Sequence, residues 1–221
     1  MARQPLSLQK AVALITLAGA GVLFAADSAA DRALAMAGQI PDAAATERPE
    51  LARQALAEAE RAVAESPNSA QSHLALAIVL GRVSEIQPPN KRLEAARRIR
   101  EELDIALRLD PKEPLAWHVL GRWHLELAIL PPVVRSLAET FFGKLPEASA
   151  EEAETAFRNS MQHGPVRIAN HSELGRALAL LGKTREAHAE FEKALSLPAK
   201  NREDEDARQR ARLALEQLGG R

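Results

Sequence analysis

Residues 166–198, VRIANHSELGRALALLGKTREAHAEFEKALSLP, constrain this chain more than any other stretch. Leu174, Gly175, Leu178, Gly182, Ala187, Phe191, Ala194 and Pro198 set large and small apolar side chains at fixed offsets. Those offsets fit two antiparallel helices that meet across tiny residues, with a turn at Gly182 and a stop at Pro198. One such pair leaves an apolar face uncovered, so further pairs must stack on it.

The spacing recurs upstream. Trp117, Leu120, Gly121 and His124 repeat the offsets of His171, Leu174, Gly175 and Leu178, and Ala153 and Phe157 repeat those of Ala187 and Phe191. Ala106 before Asp110-Pro111, and Ala55 and Ala62 before Pro67, mark two earlier helix ends. A helix–turn–helix unit of about 34 residues with this signature is a tetratricopeptide (TPR) repeat. The expected helices are 51–65, 71–83 paired with 92–109, 115–130 paired with 151–162, and 168–181 paired with 184–197. A charged last helix, 203–218, keeps Ala207, Ala211, Leu213, Leu215 and Leu218, and its polar outer face suits the end of a stack. The fold class is all-α, a right-handed α-solenoid of TPR-like helix pairs with an inserted helix and a C-terminal capping helix.

Composition agrees. The 221 residues are 46% hydrophobic and 27% charged, with no Tyr and 3% aromatics, and no stretch alternates like a strand. A formal net charge of −1 gives no pull toward nucleic acid, and none is expected as a partner. The absence of Cys removes disulfides, cysteine nucleophiles and Cys-zinc sites.

The N-terminus has Arg3 and Lys10, then an apolar run over 11–26, then small residues. That is the layout of a secretory signal peptide, with Ser28-Ala29-Ala30 offering a cut after Ala30 and Leu23-Phe24-Ala25 a weaker one. The rival is an uncleaved anchor, for which sixteen apolar residues fall short of the roughly 20 that span a bilayer. The domains expected are a signal peptide or anchor at 1–30, a linker at 31–48 with Gly38 and Pro41, and a TPR-like domain at 49–218. An exported chain of this kind belongs in the periplasm, or anchored to an inner membrane and facing it.

Two connections exceed a plain repeat: 85–91 and, larger, 131–150. In the second, Val133, Val134, Leu137, Ala138 and Phe141 fall on one helical stripe. Its Phe141 and Phe142 are expected to plug a gap between helix pairs, since apolar stripes usually face a core. Trp123 is expected beneath this insert.

Gly121-Arg122-Trp123, then 142–149 (FGKLPEAS), Glu152-Ala153 and Phe157, and the tail 194–204 (ALSLPAKNRED) follow an order more specific than a generic repeat. Over roughly residues 50–216 the chain resembles the regulator of microtubule dynamics family of TPR-like proteins. The resemblance implies an α-helical domain, often behind an N-terminal anchor. Animal members are linked to microtubules and organelle contact sites, with lipid binding for some. An exported Ala- and Arg-rich chain fits a bacterial source, so only the architecture and a lipid or peptide ligand are carried over.

In a TPR unit the first helix lines the groove. Arg122 and Arg176 share its ligand-facing position, Arg82 lies on the corresponding earlier helix, and His118 and Ser172 stand one turn before the two arginines. A row of guanidinium groups there can fork onto a peptide carboxylate or a phosphate. The alternative is an arginine ion-paired to Glu126 or Glu173.

Gly182-Lys183-Thr184 is no phosphate loop, because the glycine five residues earlier is replaced by Ala177 and no strand precedes it. The six histidines are not spaced as a ligand set, and no nucleophile–base set stands out. Catalytic residues, metal ligands and cofactors are therefore not expected. The chain reads as a non-enzymatic adaptor that binds a protein or peptide segment. The alternative is a lipid or membrane-contact module built on the insert and the arginine row.

Overall fold

A computed structural model describes residues 28–219. Residues 1–27, which hold most of the signal peptide or anchor expected at 1–30, lie outside them, as do residues 220 and 221. Ten helices follow one another among the described residues, with no strand. They are α1 (Ala29–Gln39), α2 (Arg48–Glu65), α3 (Ala70–Ser84), α4 (Pro89–Leu109), α5 (Pro114–Ala128), α6 (Pro132–Phe142), α7 (Ala150–His163), α8 (Ile168–Leu180), α9 (Thr184–Ser196) and α10 (Arg202–Gly219).

The expected pairs form: α3 packs on α4, α5 on α7 and α8 on α9, and α10 lies against both α8 and α9. Small residues make two of these pairings close. A Cβ at Gly121 would meet the Phe157 ring at 2.7 Å, and one at Gly175 would meet Phe191 at 2.5 Å. Both rings are fully buried. Gly182 makes the turn after α8 at φ 72°, a left-handed conformation that favours glycine.

Two pairs are also tied by His–Glu hydrogen bonds at the same repeat slot. His73 Nδ1 on α3 lies 2.6 Å from a Glu102 carboxylate oxygen on α4, and His171 Nδ1 on α8 lies 2.7 Å from Glu190 on α9. In the middle pair that slot holds Trp117 and Ala156. Matching 73 with 171 and 102 with 190 sets the register of the first unit against the third, and Gly121–Phe157 against Gly175–Phe191 sets that of the second.

Three expectations need correction. The segment at 31–48 is not a plain linker: α1 runs through residue 39 and packs on α2 and α3. Its Ala29 and Ala30 are buried with Ala62 and Ala75. Ser28 accepts from the Asp31 backbone N–H while Asp31 accepts from the Ser28 N–H, a reciprocal cap. The Ala30–Asp31 bond thus lies inside the first turn of a packed helix.

The insert does not plug a gap. No α6 residue is buried, and Val133 and Phe141 are 70% and 73% exposed. Backbone ties hold its ends: Arg135 donates to the Leu127 carbonyl at 2.7 Å, and Arg97 donates to the Lys144 carbonyl at 2.9 Å. Trp123 is buried against α4 instead, its Nε1 donating to the Ala96 carbonyl at 2.8 Å with the Arg100 guanidinium over its ring.

Candidate functional site

A cavity of about 730 Å³ opens between α5, α8 and α10. Arg122 and Glu126 line it from α5, Glu173 and Arg176 from α8, and Arg210 from α10. Apolar side chains complete it, among them Ile129, Leu180 and Leu213, which are 38%, 46% and 48% exposed. Each helix contributes one side chain per turn to this wall, because residues three and four apart share a helical face.

The charges are unevenly paired. Glu173 is 1% exposed, and its two oxygens take Arg176 at 2.6 Å and Arg210 Nε at 3.4 Å. Burial alone would lower the Arg176 pKa, but Glu173 and Glu126 outweigh it and hold the guanidinium above the ordinary arginine value. Glu126 stands one turn from Arg122 on the same helix yet reaches across to Arg176 at 3.3 Å. Arg122 is exposed and takes no ion pair among the described residues.

The five residues expected at the site separate. Arg122 and Arg176 are brought into one cavity, with Arg176 also fulfilling the ion-paired alternative to both glutamates. Arg82 lies outside it, 3.5 Å from Glu85. The repeat register explains this, since the α3 residue matching Arg122 and Arg176 is Ile78, and Arg82 stands a turn beyond, in the slot that Glu126 and Leu180 fill in the later units.

His118 and Ser172 lie under the wall rather than on it. Ser172 is fully buried, and its hydroxyl has no hydrogen-bond partner among the described residues. His118 is buried against Asn170, to which its Nδ1 hydrogen-bonds. Burial, followed by the nearby Arg122 charge, pushes its pKa down to about 4. Neither side chain is placed to donate to a ligand.

Arg210 was not expected at the site. Arg210, Leu213, Ala214 and Gln217 recur at helical spacing in α10, but the high charge of that helix reads as a solvated outer face. A second cavity, near the end of α1, is acidic, but its Glu50 pairs with Arg53 and its Asp42 with Arg202. Among the described residues no three His, Asp or Glu converge as metal ligands, and no helix is long and apolar enough to cross a membrane.

The family profile of regulator of microtubule dynamics protein 1–3 matches residues 29–219, from the first residue of α1 to the last of α10. The chain belongs to the regulator of microtubule dynamics family. Regulator of microtubule dynamics protein 2 of Rattus norvegicus is 30% identical over 149 residues, covering 67% of this chain and 36% of that protein. Protein 1 of Bos taurus is 29% identical over 146 residues, 66% of this chain and 44% of the relative. Protein 3 of Rattus norvegicus is 28% identical over 148 residues, 66% and 31%. The chain thus spans less than half the length of each of these relatives.

Proposed function

We propose that this member of the family is a non-enzymatic helical scaffold that holds a segment of a partner protein in the cavity between α5, α8 and α10. The observation that carries this is a wall in which exposed Leu180 and Leu213 stand beside arginines held by a buried glutamate. Apolar contact area with a few fixed charges is what a peptide groove offers. The relatives' names concern microtubule dynamics, and it is the helical scaffold rather than that role that we carry over. Arg3, Lys10 and the apolar run over 11–26, which precede α1, support a place of action in the cell envelope, in the periplasm or at the inner membrane facing it.

A photo-crosslinking residue at position 213, inside the cavity, should capture a partner in cells, and the same residue at position 192 on α9 should not. Equal capture at both positions, or loss of nothing when Arg122 and Arg176 are both changed to Ala, sinks the reading.

A second reading rests on α6, whose Val133, Leu137 and Phe141 face no other helix. It makes α6 a contact for lipid. Co-sedimentation with phospholipid vesicles that survives Leu137→Ser with Phe141→Ser removes it.

A further inference from the structure

We infer that Arg122 is the charge anchor of the cavity and that the occupant is an acidic–apolar peptide segment, a single carboxylate flanked by aliphatic or aromatic side chains. This deepens the binding reading above and rests on it. The charge inventory decides the class. Three arginines and two glutamates line the cavity. Arg176 and Arg210 are both engaged by Glu173, and Glu126 also turns to Arg176. Arg122 would find its ordinary partner in Glu126, four residues along the same helix, but that carboxylate is taken by the neighbouring helix.

One positive charge is therefore left over, on an exposed side chain beside the cavity's apolar wall. A monoanion matches it. A phosphate dianion calls for a second arginine, and drawing Arg176 or Arg210 toward it strips the buried Glu173 carboxylate of one of its two partners, a cost that a monoanion on Arg122 avoids. A basic segment meets Arg122 with like charge and is rejected. Leu180 and Leu213 are each nearly half exposed, so they offer contact area for the apolar residues on either side of the carboxylate. Guanidinium and carboxylate meet in a two-pronged hydrogen bond, which sets the direction of the bound segment as well as its charge.

The test uses the full-length protein on an array of random twelve-residue peptides, followed by anisotropy on one retained peptide and its Glu→Gln or Asp→Asn version. The retained set is expected to be enriched in Asp or Glu beside Leu, Ile or Phe. The amide version should bind at least tenfold more weakly. Arg122→Gln should abolish the difference, and Arg82→Gln, outside the cavity, should leave it intact. Equal binding of the acid and amide versions, or an acidic preference that survives Arg122→Gln, overturns the inference while leaving the peptide groove standing. Tighter binding of a phosphoserine version overturns the assignment to a monoanion. Retention of no peptide, with or without binding to phosphatidylcholine or phosphatidylglycerol vesicles, overturns the groove reading and this inference with it. Because Arg122 is exposed and makes no ion pair, its variant should unfold at the wild-type temperature, so lost preference will not reflect lost fold.

Discussion

His118 shows how a polar residue can be built into the floor of a binding wall without taking part in it. Its Nδ1–H meets Asn170 Oδ1, the Asn170 amide donates to Ser160 Oγ at 3.0 Å, and that hydroxyl donates to the Pro114 carbonyl at 2.7 Å. Each donor has one acceptor, so the imidazole tautomer is fixed. The chain stitches α5, α7 and α8 together beneath Arg122. With a folded pKa of about 4 against an ordinary 6.5, His118 is neutral in both states above pH 6.5 and costs nothing there. Below pH 6.5 the unfolded chain takes a proton that the folded one refuses, so stability falls as pH drops toward 4, by on the order of 3 kcal/mol. Glu190 acts in the same direction. Burial would raise its pKa, but hydrogen bonds from His171 and Lys193 outweigh it and hold it below the usual carboxylate value. Its contribution is present above the ordinary carboxylate pKa and is lost as pH falls through the folded one. Urea unfolding from pH 7 to 4 should show this decline, and His118→Gln should make it shallower. An unchanged slope in that variant would refute the assignment to His118.

At the scale of helices, the first and the sixth make opposite predictions. α1 is short and rich in Ala, yet it starts on a reciprocal cap and buries Ala29, Ala30, Ala33 and Ala37. Ser28→Ala should cost about 1 kcal/mol, and a chain that starts at Asp31 should lose more, because it also lacks two buried residues. Thermal melts of the three chains check the order, and equal midpoints would mean that the cap does nothing. α6 buries nothing, so Leu137→Ser with Phe141→Ser should move unfolding by about 0.5 kcal/mol or less. The same contrast explains what was legible in the sequence. Bulky residues at Leu174, Phe157 and Phe191 announce their partners through spacing, and the α3–α4, α5–α7 and α8–α9 pairs could be read from them. A helix interface made of alanines carries no bulky periodicity, so α1 passed for leader and linker. The amphipathic stripe of α6 shows a helix but not what it faces. The site was legible to the same depth. Repeat spacing puts Arg122 and Arg176 together, but the turn of Glu126 toward a neighbouring helix and the approach of Arg210 depend on geometry between helices.

Across the whole molecule, two hydrophobic cores meet at one helix pair. The first gathers residues of α1 to α4 with Ala116, Leu120 and Trp123 of α5 and Ala156 of α7. The second gathers α8 to α10 with Leu125 of α5 and Ala153 and Phe157 of α7. In a stacked array each pair is stabilised by its neighbours, so the α5–α7 pair carries the coupling between the two ends. The ion pair from Arg202 to Asp42 at 2.5 Å joins the start of α10 to the turn after α1, but both side chains are exposed and it adds little. Phe157 and Phe191 allow a matched test, since they fill the same repeat slot, are equally buried and pack against equivalent glycines. Either change to Ala should remove about 3–5 kcal/mol locally, a large part of the 5–15 kcal/mol typical of a domain. Phe191→Ala should speed hydrogen exchange in α8, α9 and α10 and leave α1 to α4 protected. Phe157→Ala should speed exchange in α5 and α7 and split the thermal transition in two, because the halves then unfold without their shared pair. If the two variants lose protection in the same helices, the ends of the array are coupled by something other than α5 and α7. If Phe157→Ala still melts in one step, the α5–α7 pair does not carry the coupling between the two cores.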